Sequence, residues 1–428
     1  MRTLNLSVES KSLLVTTRFR ALKHRNFQLF VAGQLVSLIG TWMQTTAQLW
    51  LVYRLTGSAA LLGVFGFANQ IPMLVLASVG GYVGDRYSRQ RGVIATQSVS
   101  MILAFVLAAL TLTHRVHEWH LIFITFLVGI VNAFDVPIRQ AFFVEMVGKE
   151  DLPNAIALNA SIFNGARVVG PAIAGFAIAW IGEGWCFFLN GVSFVAVIFA
   201  LLAMHIKPAE RKPSGESPLQ SLLQGFRFAM RDRPIRSALL LLSSLSLLGL
   251  QYSTFMPVFA KDILHGDAQS LGFLMSAAGV GAVLGALQFA ARTSYKGLSK
   301  WIATMSVICS IGLIVFSRSH IFWISIAVLF VVGFAATSQM AATNTTVQSR
   351  VPDELRGRVM AVYATMFMGV QPIGALLATG LVKRLGAPAA MTTFGCCCLA
   401  ASIAFAVWVA VRMRAGQSAT PVQAGLGR

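Results

Sequence analysis

Long runs of apolar residues, separated by short polar segments, follow one another along the whole of this chain. Twelve of them are long enough to cross a bilayer, because a helix needs roughly 20 apolar residues to span the hydrocarbon core. They are residues 27–53, 59–83, 92–113, 119–142, 155–181, 184–206, 235–260, 269–292, 298–317, 320–345, 356–383 and 388–412. This pattern predicts an all-α polytopic membrane protein with 12 transmembrane helices.

The basic residues between the spans predict which loops face the cytoplasm. Of the 34 Lys and Arg residues, 27 fall on alternate loops and Arg167 lies inside a span. The other six lie on the opposite loops: Arg54, Arg115, Lys261, Arg318, Lys383 and Arg384. Because loops rich in Lys and Arg are retained on the cytoplasmic side, we predict that both termini are cytoplasmic.

The longest connector, residues 207–234, predicts a division into two six-helix halves. Its later part begins with Ser217-Pro218, a helix start signal, and apolar residues then recur at the spacing of an amphipathic interfacial helix. The predicted parts are a cytoplasmic leader at 1–26, an N-terminal bundle at 27–206, the linker at 207–234, a C-terminal bundle at 235–412 and a cytoplasmic tail at 413–428. The leader lacks the apolar core and cleavage site of a signal peptide.

The two halves resemble each other weakly, which indicates an internal duplication. Leu62-Gly63 in the first half has a counterpart in Leu271-Gly272 in the second. Two pseudo-symmetric six-helix bundles are typical of transporters that bind substrate between the halves, near mid-membrane.

Composition supports the membrane interpretation and argues against a nucleic-acid partner. Only 11% of residues are charged, about half the usual share for a soluble chain. The net charge of +19 is also typical of nucleic-acid-binding proteins, but here the basic residues lie in short loops beside apolar spans. There they face the anionic lipids of the inner leaflet, so membrane lipid is the expected partner and nucleic acid is not.

Candidate metal ligands are few. All five cysteines fall within predicted spans, where we interpret them as small apolar side chains. His114, His117 and His120 are three residues apart near the outer end of the fourth span. A metal site there is an alternative to an ordinary interfacial cluster, which Arg115 favours. We expect no metal site and no cofactor.

The loop after the second span, residues 81–91, reads GYVGDRYSRQR. It resembles the signature loop of the major facilitator superfamily, G-x-x-x-D-R-x-G-R-R/K, although Ser88 replaces the usual glycine and Gln90 the usual second basic residue. In that superfamily the loop acts as a cytoplasmic latch during alternating access; an ordinary positively charged inside loop is the alternative. The latch residues that the resemblance implies are Gly81, Asp85, Arg86, Arg89 and Arg91.

The fifth span contains GARVVGPAIAG at residues 165–175. Its small residues allow close helix packing, and the segment is similar to the glycine-proline motif of major facilitator exporters, here Gly165, Gly170, Pro171 and Gly175. Residues 132–143, 149–155 and 217–228 are also similar to the exporters of the enterobactin type, a group that includes macrolide and other drug exporters. Helix packing alone is the alternative for the glycine-proline motif.

Three charged residues in or at the ends of the fourth and fifth spans are candidate buried charges. They are Asp135, Arg139 and Arg167. A charge alone at the centre of a membrane helix costs about 2.5–3.5 kcal/mol, so we expect pairing or a wet cavity, with Asp135 near either arginine. By elimination Asp135 is the leading proton-coupling candidate. A permanently ionised structural partner is the alternative for Asp135, and coupling would then run through Asp85 at the membrane boundary.

Polar residues at helical spacing in several spans predict an amphipathic cavity with few fixed charges. The cavity-lining candidates are Gln34, Thr41, Gln44, Gln48, Asn132, Gln251 and Asn344. Hydrogen bonding between helices is the alternative for any single one of them.

These expectations combine into one functional hypothesis. The chain resembles a secondary active exporter of the bacterial inner membrane, which implies efflux of a hydrophobic or aromatic small molecule, possible siderophore export, and proton antiport. The sequence contains no G-x-x-x-x-G-K-[ST] loop for ATP hydrolysis. The alternatives are a multidrug or macrolide efflux pump, an importer, a membrane receptor and a membrane-embedded enzyme, the last without a recognisable catalytic constellation. We expect a monomer that is not an enzyme.

Overall fold

The computed structural model describes residues 20–206, 218–292, 294 and 297–418. Parts of the predicted leader, linker and tail lie outside these ranges. Within them every regular element is helical. The first helices are a 3-10 turn at Arg20–Lys23, α1 (Arg25–Thr56), α2 (Ala59–Arg86), α3 (Arg89–Leu112), α4 (Glu118–Ile181) and α5 (Glu183–Leu202).

Seven further helices follow, of which the first lies inside the predicted linker. They are α6 (Pro218–Arg231), α7 (Arg233–Leu247), α8 (Ala268–Ala290), α9 (Leu298–Arg318), α10 (Phe322–Gln348), α11 (Asp353–Ala364) and α12 (Gln371–Ser418). Between α7 and α8 lie a 3-10 turn at Gly249–Ser253, a helical turn at Met256–Val258 and a π turn at Phe259–Ile263. A second π turn, Thr365–Gly369, joins α11 to α12.

Nine helical stretches of the described chain are long and apolar enough to cross a membrane. Two of them exceed a single crossing: Glu118–Ile181 has 64 residues and Asp353–Val411 has 59. Each is broken at a glycine with positive φ, Gly148 (φ 74°) and Gly386 (φ 79°), a conformation that glycine adopts without steric cost. Two crossings in each, together with the more polar α1, would make twelve; the number and the orientation stay predictions.

Two predicted boundaries differ from the structure. The predicted loop between the fourth and fifth spans is helical on both sides of Gly148, so only that residue interrupts α4. The predicted seventh span, 235–260, is not one helix, because α7 ends at Leu247 and irregular turns follow. Pro257 in these turns has no backbone N–H to donate to a helical ladder.

The chain divides into two compact units. The first comprises Met1–Gly215 and His265–Ser276, and the second comprises Glu216–Leu264 and Ala277–Arg428. The start of α8, which the sequence assigns to the C-terminal bundle, therefore groups with the first unit. Its Gly272 packs against Pro171 and Gly175 of α4, where a Cβ would lie 2.6 Å from the Pro171 carbonyl oxygen.

Aromatic packing fixes α1 against α4 in the first unit. Phe27 and Phe30 of α1 are buried with Phe143 of α4, and the rings of Phe30 and Phe143 meet edge to face at 5.4 Å. Such a pair contributes about 0.5–1.5 kcal/mol beyond its buried area. The cluster packs α4 against α1 near the start of α3.

In the second unit, α6 packs against α11. Gly225 lies so close to the backbone of Arg358 that a side chain at this position would overlap it. Ala229 is buried in the same cluster, whereas Leu223 and Phe226 are exposed. α6, the helix predicted to lie at the membrane interface, therefore packs one apolar face against α11 and leaves a second apolar face exposed.

Candidate functional site

Arg89, the first residue of α3, connects three parts of the first unit. Its NH1 atom donates to Glu145 Oε1 and to the Ala141 carbonyl oxygen of α4, both at 3.1 Å. Its NH2 atom lies 3.5 Å from Asp85 Oδ1. Glu145 is buried while the Asp85 side chain is 62% exposed, so Glu145 is the stronger partner.

The other residues of the loop have separate roles. Arg86 lies over the Tyr82 ring, with the guanidinium carbon 4.4 Å from the ring centroid, and Arg91 is exposed. Ser88 caps α3 by accepting from the Arg91 amide. Gln90, which replaces the usual basic residue, donates from Nε2 to the Leu201 carbonyl oxygen at 2.6 Å. The loop is thereby tied to the C-terminal end of α5.

The close contact of α2 with α4 involves Gly80, which precedes the predicted latch residue Gly81. No heavy atom lies within 4 Å of a Cβ built at Gly81. A Cβ at Gly80 would overlap the Ala133 carbonyl oxygen, and one at Gly84 would lie 2.9 Å from the Ile138 side chain. Helical periodicity turns Gly80 and Gly84 toward α4, so these two glycines allow the close approach of α2, and Gly81, which matches the signature loop, does not take part in it.

Asp135 lies in a buried network between α3 and α4. Its Oδ1 accepts from Gln97 Nε2 at 3.0 Å and lies 2.7 Å from the Thr96 hydroxyl. Its Oδ2 is 3.0 Å from Arg139 NH2, one turn along the same helix. Of the two arginines considered from the sequence, Arg139 is the partner of Asp135. Such pairing offsets the cost of placing each charge in the membrane.

Two groups beside Asp135 have unused or shared hydrogen-bonding capacity. The Thr96 hydroxyl lies 2.9 Å from the Val93 carbonyl oxygen as well as 2.7 Å from Asp135, and its single proton serves one acceptor at a time. The Oε1 atom of Gln97 is buried and has no hydrogen-bond partner in the described part of the chain. The network therefore contains an acceptor that an added proton on Asp135 could use.

Arg167 lies apart from this network, near the middle of the second segment of α4. Its guanidinium carbon is 5.6 Å from the centroid of the Trp42 ring of α1, a cation–π contact. Trp42 in turn meets Phe163 edge to face, with ring centroids 5.7 Å apart. From Gly148, Asp135 is about 20 Å and Arg167 about 28 Å along the helix axis, at 1.5 Å per residue. This difference in depth separates the two charges.

The glycine-proline motif brings α4 close to other helices at some of its positions. A Cβ at Gly170 would lie 2.5 Å from Trp42 Cβ, and one at Gly175 would lie 2.9 Å from the Ala268 carbonyl oxygen. Pro171 is buried beside them. Gly165 has open space around it, so close packing does not explain a glycine there.

The predicted cavity stripe differs from the structure. Four of its members are buried: Gln34, Gln44, Gln48 and Gln251. Gln44 Oε1 accepts from Asn190 Nδ2 at 2.7 Å, and Gln251 Nε2 donates to the Gln371 carbonyl oxygen at 3.2 Å. Assigning these four to an open cavity is wrong in this structure, because all four side chains are buried by packing. Gln44 and Gln251 are paired by these hydrogen bonds, whereas Gln48 Nε2 has no partner among the described residues.

The remaining cavity candidates are more accessible. Thr41 and Asn132 are exposed, and Asn344 is half-buried with its Oδ1 accepting from Gln348 at 2.6 Å.

Another charged cluster joins the N-terminal segment to α4. His24 Nε2 is 2.9 Å from Asp151 Oδ2, and Arg20 Nε is 3.3 Å from Asp151 Oδ1. The Ala21 amide also donates to Asn154 Oδ1 at 3.0 Å. The hydrogen bond from His24, with the positive charge of Arg20, holds the pKa of Asp151 below its ordinary value of 3.8. Partial burial opposes this shift.

The histidine cluster at the start of α4 caps the helix. His120 Nδ1 accepts from the His117 amide at 3.1 Å, and its ring stacks on Trp119. Throughout the described residues, no group of three or more His, Cys, Asp or Glu side chains is arranged to hold a metal ion.

Comparison with known proteins assigns the family. Residues 16–424 match the family described as transmembrane secretion effectors, over nearly the whole chain. The chain belongs to this family of the major facilitator superfamily. Its members are transporters, so the protein is an integral transporter of the inner membrane. The major facilitator resemblance drawn from residues 81–91 and 165–175 is confirmed.

Curated relatives of this transporter include exporters of two kinds. It is 26% identical to the staphyloferrin A transporter of Staphylococcus aureus over 81% of this chain and 87% of that one. It is 26% identical to the enterobactin exporter EntS of Shigella boydii over 84% and 85%. It is 24% identical to the multidrug efflux pump Tap of Mycolicibacterium fortuitum over 84% and 89%.

Solved structures of low sequence identity share the fold. The nucleoside transporter NupG matches with a TM-score of 0.68 at 15% identity, over 89% of this chain and 98% of that one. A bacterial homologue of the lysosomal transporter Spinster matches with a TM-score of 0.65 at 14% identity, over 90% and 94%. The predicted all-α major facilitator fold is thereby confirmed.

Several residues of the transporter's polar network were not singled out from the sequence. Glu145 pairs with Arg89, and Thr96 and Gln97 contact Asp135. Glu183 forms a bidentate pair with Arg54, at 2.7 and 3.2 Å, between the end of α1 and the start of α5. Glu145 and Glu183 each lie within a few residues of a predicted span end, and this position was the available signal.

Proposed function

We propose that this transporter exports a siderophore-type small molecule, hydrophobic or aromatic in part, by alternating access and in exchange for protons. The observation that carries the proposal is the similarity, over more than four-fifths of the chain, to a staphyloferrin A transporter and an enterobactin exporter. The absence of a nucleotide-binding loop from the sequence supports an ion gradient as the energy source.

Asp135 is the proposed proton-carrying residue. In the observed state its carboxylate accepts a hydrogen bond from Gln97 and pairs with Arg139. When a proton binds at Oδ1, the carboxylate loses its negative charge, and the attraction between Asp135 and the Arg139 guanidinium at Oδ2 weakens. Because Oδ1 contacts α3, protonation also alters the α3–α4 contact.

Gln97 and Thr96 give the protonated form a place in the same network. If the Gln97 amide turns over, its Oε1 accepts the proton that Asp135 carries, and this oxygen has no partner otherwise among the described residues. The Thr96 hydroxyl then donates to the Val93 carbonyl oxygen, 2.9 Å away. The observed state therefore leaves one buried acceptor of Gln97 unpaired, and protonation of Asp135 gives that acceptor a donor.

Arg89 and Glu145 form the proposed cytoplasmic latch. Their pair joins the start of α3 to the first segment of α4, which carries Asp135. An interaction of this kind can be made in one state of the cycle and broken in another, which would couple the loop to the proton site.

Transport in everted membrane vesicles tests the proposal. Vesicles with wild-type protein should accumulate a tricatecholate siderophore when the interior is acidic, and a protonophore should abolish this accumulation. Asp135→Asn should remove the dependence on the pH gradient, whereas Glu150→Gln, which neutralises an exposed acid of the same helix, should not. Accumulation by the wild type that is insensitive to the gradient would contradict proton antiport. A wild-type pH response in Asp135→Asn would contradict the role of Asp135.

Multidrug efflux is the second candidate function, and similarity to the pump Tap favours it. Accumulation of a lipophilic cation in the same everted vesicles, without accumulation of siderophore, would favour multidrug efflux over siderophore export.

The remaining expectations concern the assembly. We propose that the protein works as a monomer in contact with membrane lipid, with two bundles bounded as the sequence predicts. Light scattering of the detergent-solubilised protein tests the monomer.

A further inference from the structure

Arg167 is a membrane-embedded cation whose observed contact is with a ring and not with an acid. Its guanidinium lies over Trp42 at 5.6 Å. Among the described residues no carboxylate oxygen lies within salt-bridge distance of it. Asp135, the acid that the sequence places within the fourth span, is already engaged by Arg139, Thr96 and Gln97. Arg167 is therefore a positive charge within a predicted membrane span that no acidic side chain of the described residues neutralises.

The local packing holds this cation in place and leaves it accessible. Gly170, one turn after Arg167, lets α1 approach until Trp42 Cβ lies where a side chain would stand. The Trp42 ring thereby reaches Arg167, and Phe163, one turn before it, packs on the other edge of the indole. Arg167 and Trp42 are both half-buried and Phe163 is 43% exposed. A guanidinium and two aromatic rings thus share one accessible patch of the first unit.

We propose that Arg167, Trp42 and Phe163 form a recognition subsite for an oxyanion carried by the exported molecule. This inference rests on the proposed export function and names the chemical class of its substrate. A guanidinium presents parallel N–H donors that match a carboxylate or an ortho-diolate in bidentate fashion. The two rings offer surfaces against which an aromatic group next to that oxyanion stacks. A catecholate combines both features, and a carboxylate has the first.

The assignment gives the two arginines of α4 different tasks. Arg139 neutralises Asp135 within the protein, and Arg167 neutralises the cargo. Siderophores bind ferric ion through hard oxygen donors, so an oxyanion is a group that such a cargo carries. A lipophilic cation carries none, and its transport should not need Arg167.

The test compares wild type, Arg167→Gln, Arg167→Lys and Trp42→Phe in everted vesicles. Three probes are used: a tricatecholate siderophore, a citrate-based carboxylate siderophore and tetraphenylphosphonium. Lys149→Gln, which removes an exposed positive charge from the same helix, is the matched control. Equilibrium binding of 2,3-dihydroxybenzoate to each purified protein supplies a measurement that does not depend on transport.

Arg167→Gln should raise KM for the siderophores about tenfold or more with little change in kcat, and leave tetraphenylphosphonium unaffected. Arg167→Lys should restore part of the affinity, because it keeps the charge but not the bidentate geometry. Trp42→Phe should weaken the catecholate more than the carboxylate. Unchanged siderophore KM in Arg167→Gln, or equal loss for all three probes, would overturn the inference.

Failure of siderophore export as the function gives a different result from failure of the oxyanion subsite. If the wild type transports neither siderophore, siderophore export is wrong. Loss of 2,3-dihydroxybenzoate binding in Arg167→Gln would then still support the oxyanion subsite, and equal binding by wild type and Arg167→Gln would refute it.

Discussion

Gly80 and Gly81 are adjacent on α2 but have different surroundings, which makes them a matched pair for testing helix packing. A methyl group at Gly80 would overlap the Ala133 carbonyl oxygen and lie 2.9 Å from Phe134 Cα, both in the backbone of α4. Carbon atoms in contact prefer about 3.5–4.0 Å, so the Phe134 contact alone would require α2 and α4 to separate by roughly 0.6–1 Å, and the overlap with the Ala133 oxygen would require more. A methyl group at Gly81 meets no heavy atom within 4 Å.

The expected free energies follow from these distances. Overpacking of a tight contact costs about 1–3 kcal/mol, whereas replacing glycine by alanine within a helix gains up to about 1 kcal/mol. Gly80→Ala should therefore lower the free energy of unfolding by about 1–2 kcal/mol, and Gly81→Ala should leave it unchanged or slightly higher. Because Ala133 and Phe134 immediately precede Asp135, Gly80→Ala should also impair pH-dependent transport.

Thermal unfolding of the detergent-solubilised proteins measures the difference. Cys186, Cys309 and Cys398 are buried, so a thiol-reactive dye reports their exposure as the protein unfolds. The melting midpoint of Gly80→Ala should fall by several degrees while that of Gly81→Ala stays at or above the wild-type value. Equal midpoints for the two variants, or a fall for Gly81→Ala as large as that for Gly80→Ala, would refute the assignment of the contact to Gly80.

Two further predictions concern the charged pairs outside the membrane core. Glu183→Gln should destabilise the protein by about 1 kcal/mol, because the bidentate pair with Arg54 is partly exposed and screened. The control is Glu118→Gln, which changes an exposed acid that has no such pair among the described residues. Thermal unfolding compares the two variants, and equal melting midpoints would contradict the prediction. The lowered pKa of Asp151 stabilises the fold at pH values above 3.8 and this contribution is lost as pH falls through the lower folded value. Asp151→Asn should therefore melt below wild type at neutral pH, and the two should converge in acid; a constant difference down to pH 3, or the same convergence in Glu150→Gln, would contradict the linkage.

Hydropathy was sufficient to predict the fold class because the bilayer imposes a strong local constraint. Each crossing must be a continuous apolar helix, so length and apolarity identify it without knowledge of its neighbours. The exceptions are local: the broken segment after Leu247 and the helical continuation around Gly148 depend on backbone geometry that apolarity does not encode. The loop at residues 81–91 was recognisable because its charges stand at fixed spacing beside a span.

Partners across helices were harder to predict than the residues themselves. Asp135 stood out as a charge in an apolar run, but its contacts with Thr96 and Gln97 depend on how α3 and α4 pack. The glutamine stripe failed for the same reason: sequence spacing places Gln44 on a helix face, and only packing shows that Asn190 occupies that face. An offset of one residue, as between Gly80 and Gly81, turns a side chain by about 100° around the helix and changes its neighbour.

The position of Gly148 relates the two charged sites of α4. The two segments of α4 meet at this glycine. At 1.5 Å per residue along the helix axis, Asp135 lies about 20 Å from Gly148 in the first segment and Arg167 about 28 Å from it in the second. According to the two proposals, a proton on Asp135 would change the contact between α3 and the first segment, and an oxyanion at Arg167 would contact the second segment and α1. If both proposals hold, proton and cargo need not compete for one residue, and coupling must pass through movement of the helices. Asp135→Asn should then change the pH dependence of siderophore transport without changing binding of 2,3-dihydroxybenzoate, whereas Arg167→Gln should do the reverse. Loss of both properties in either variant would instead require one shared site.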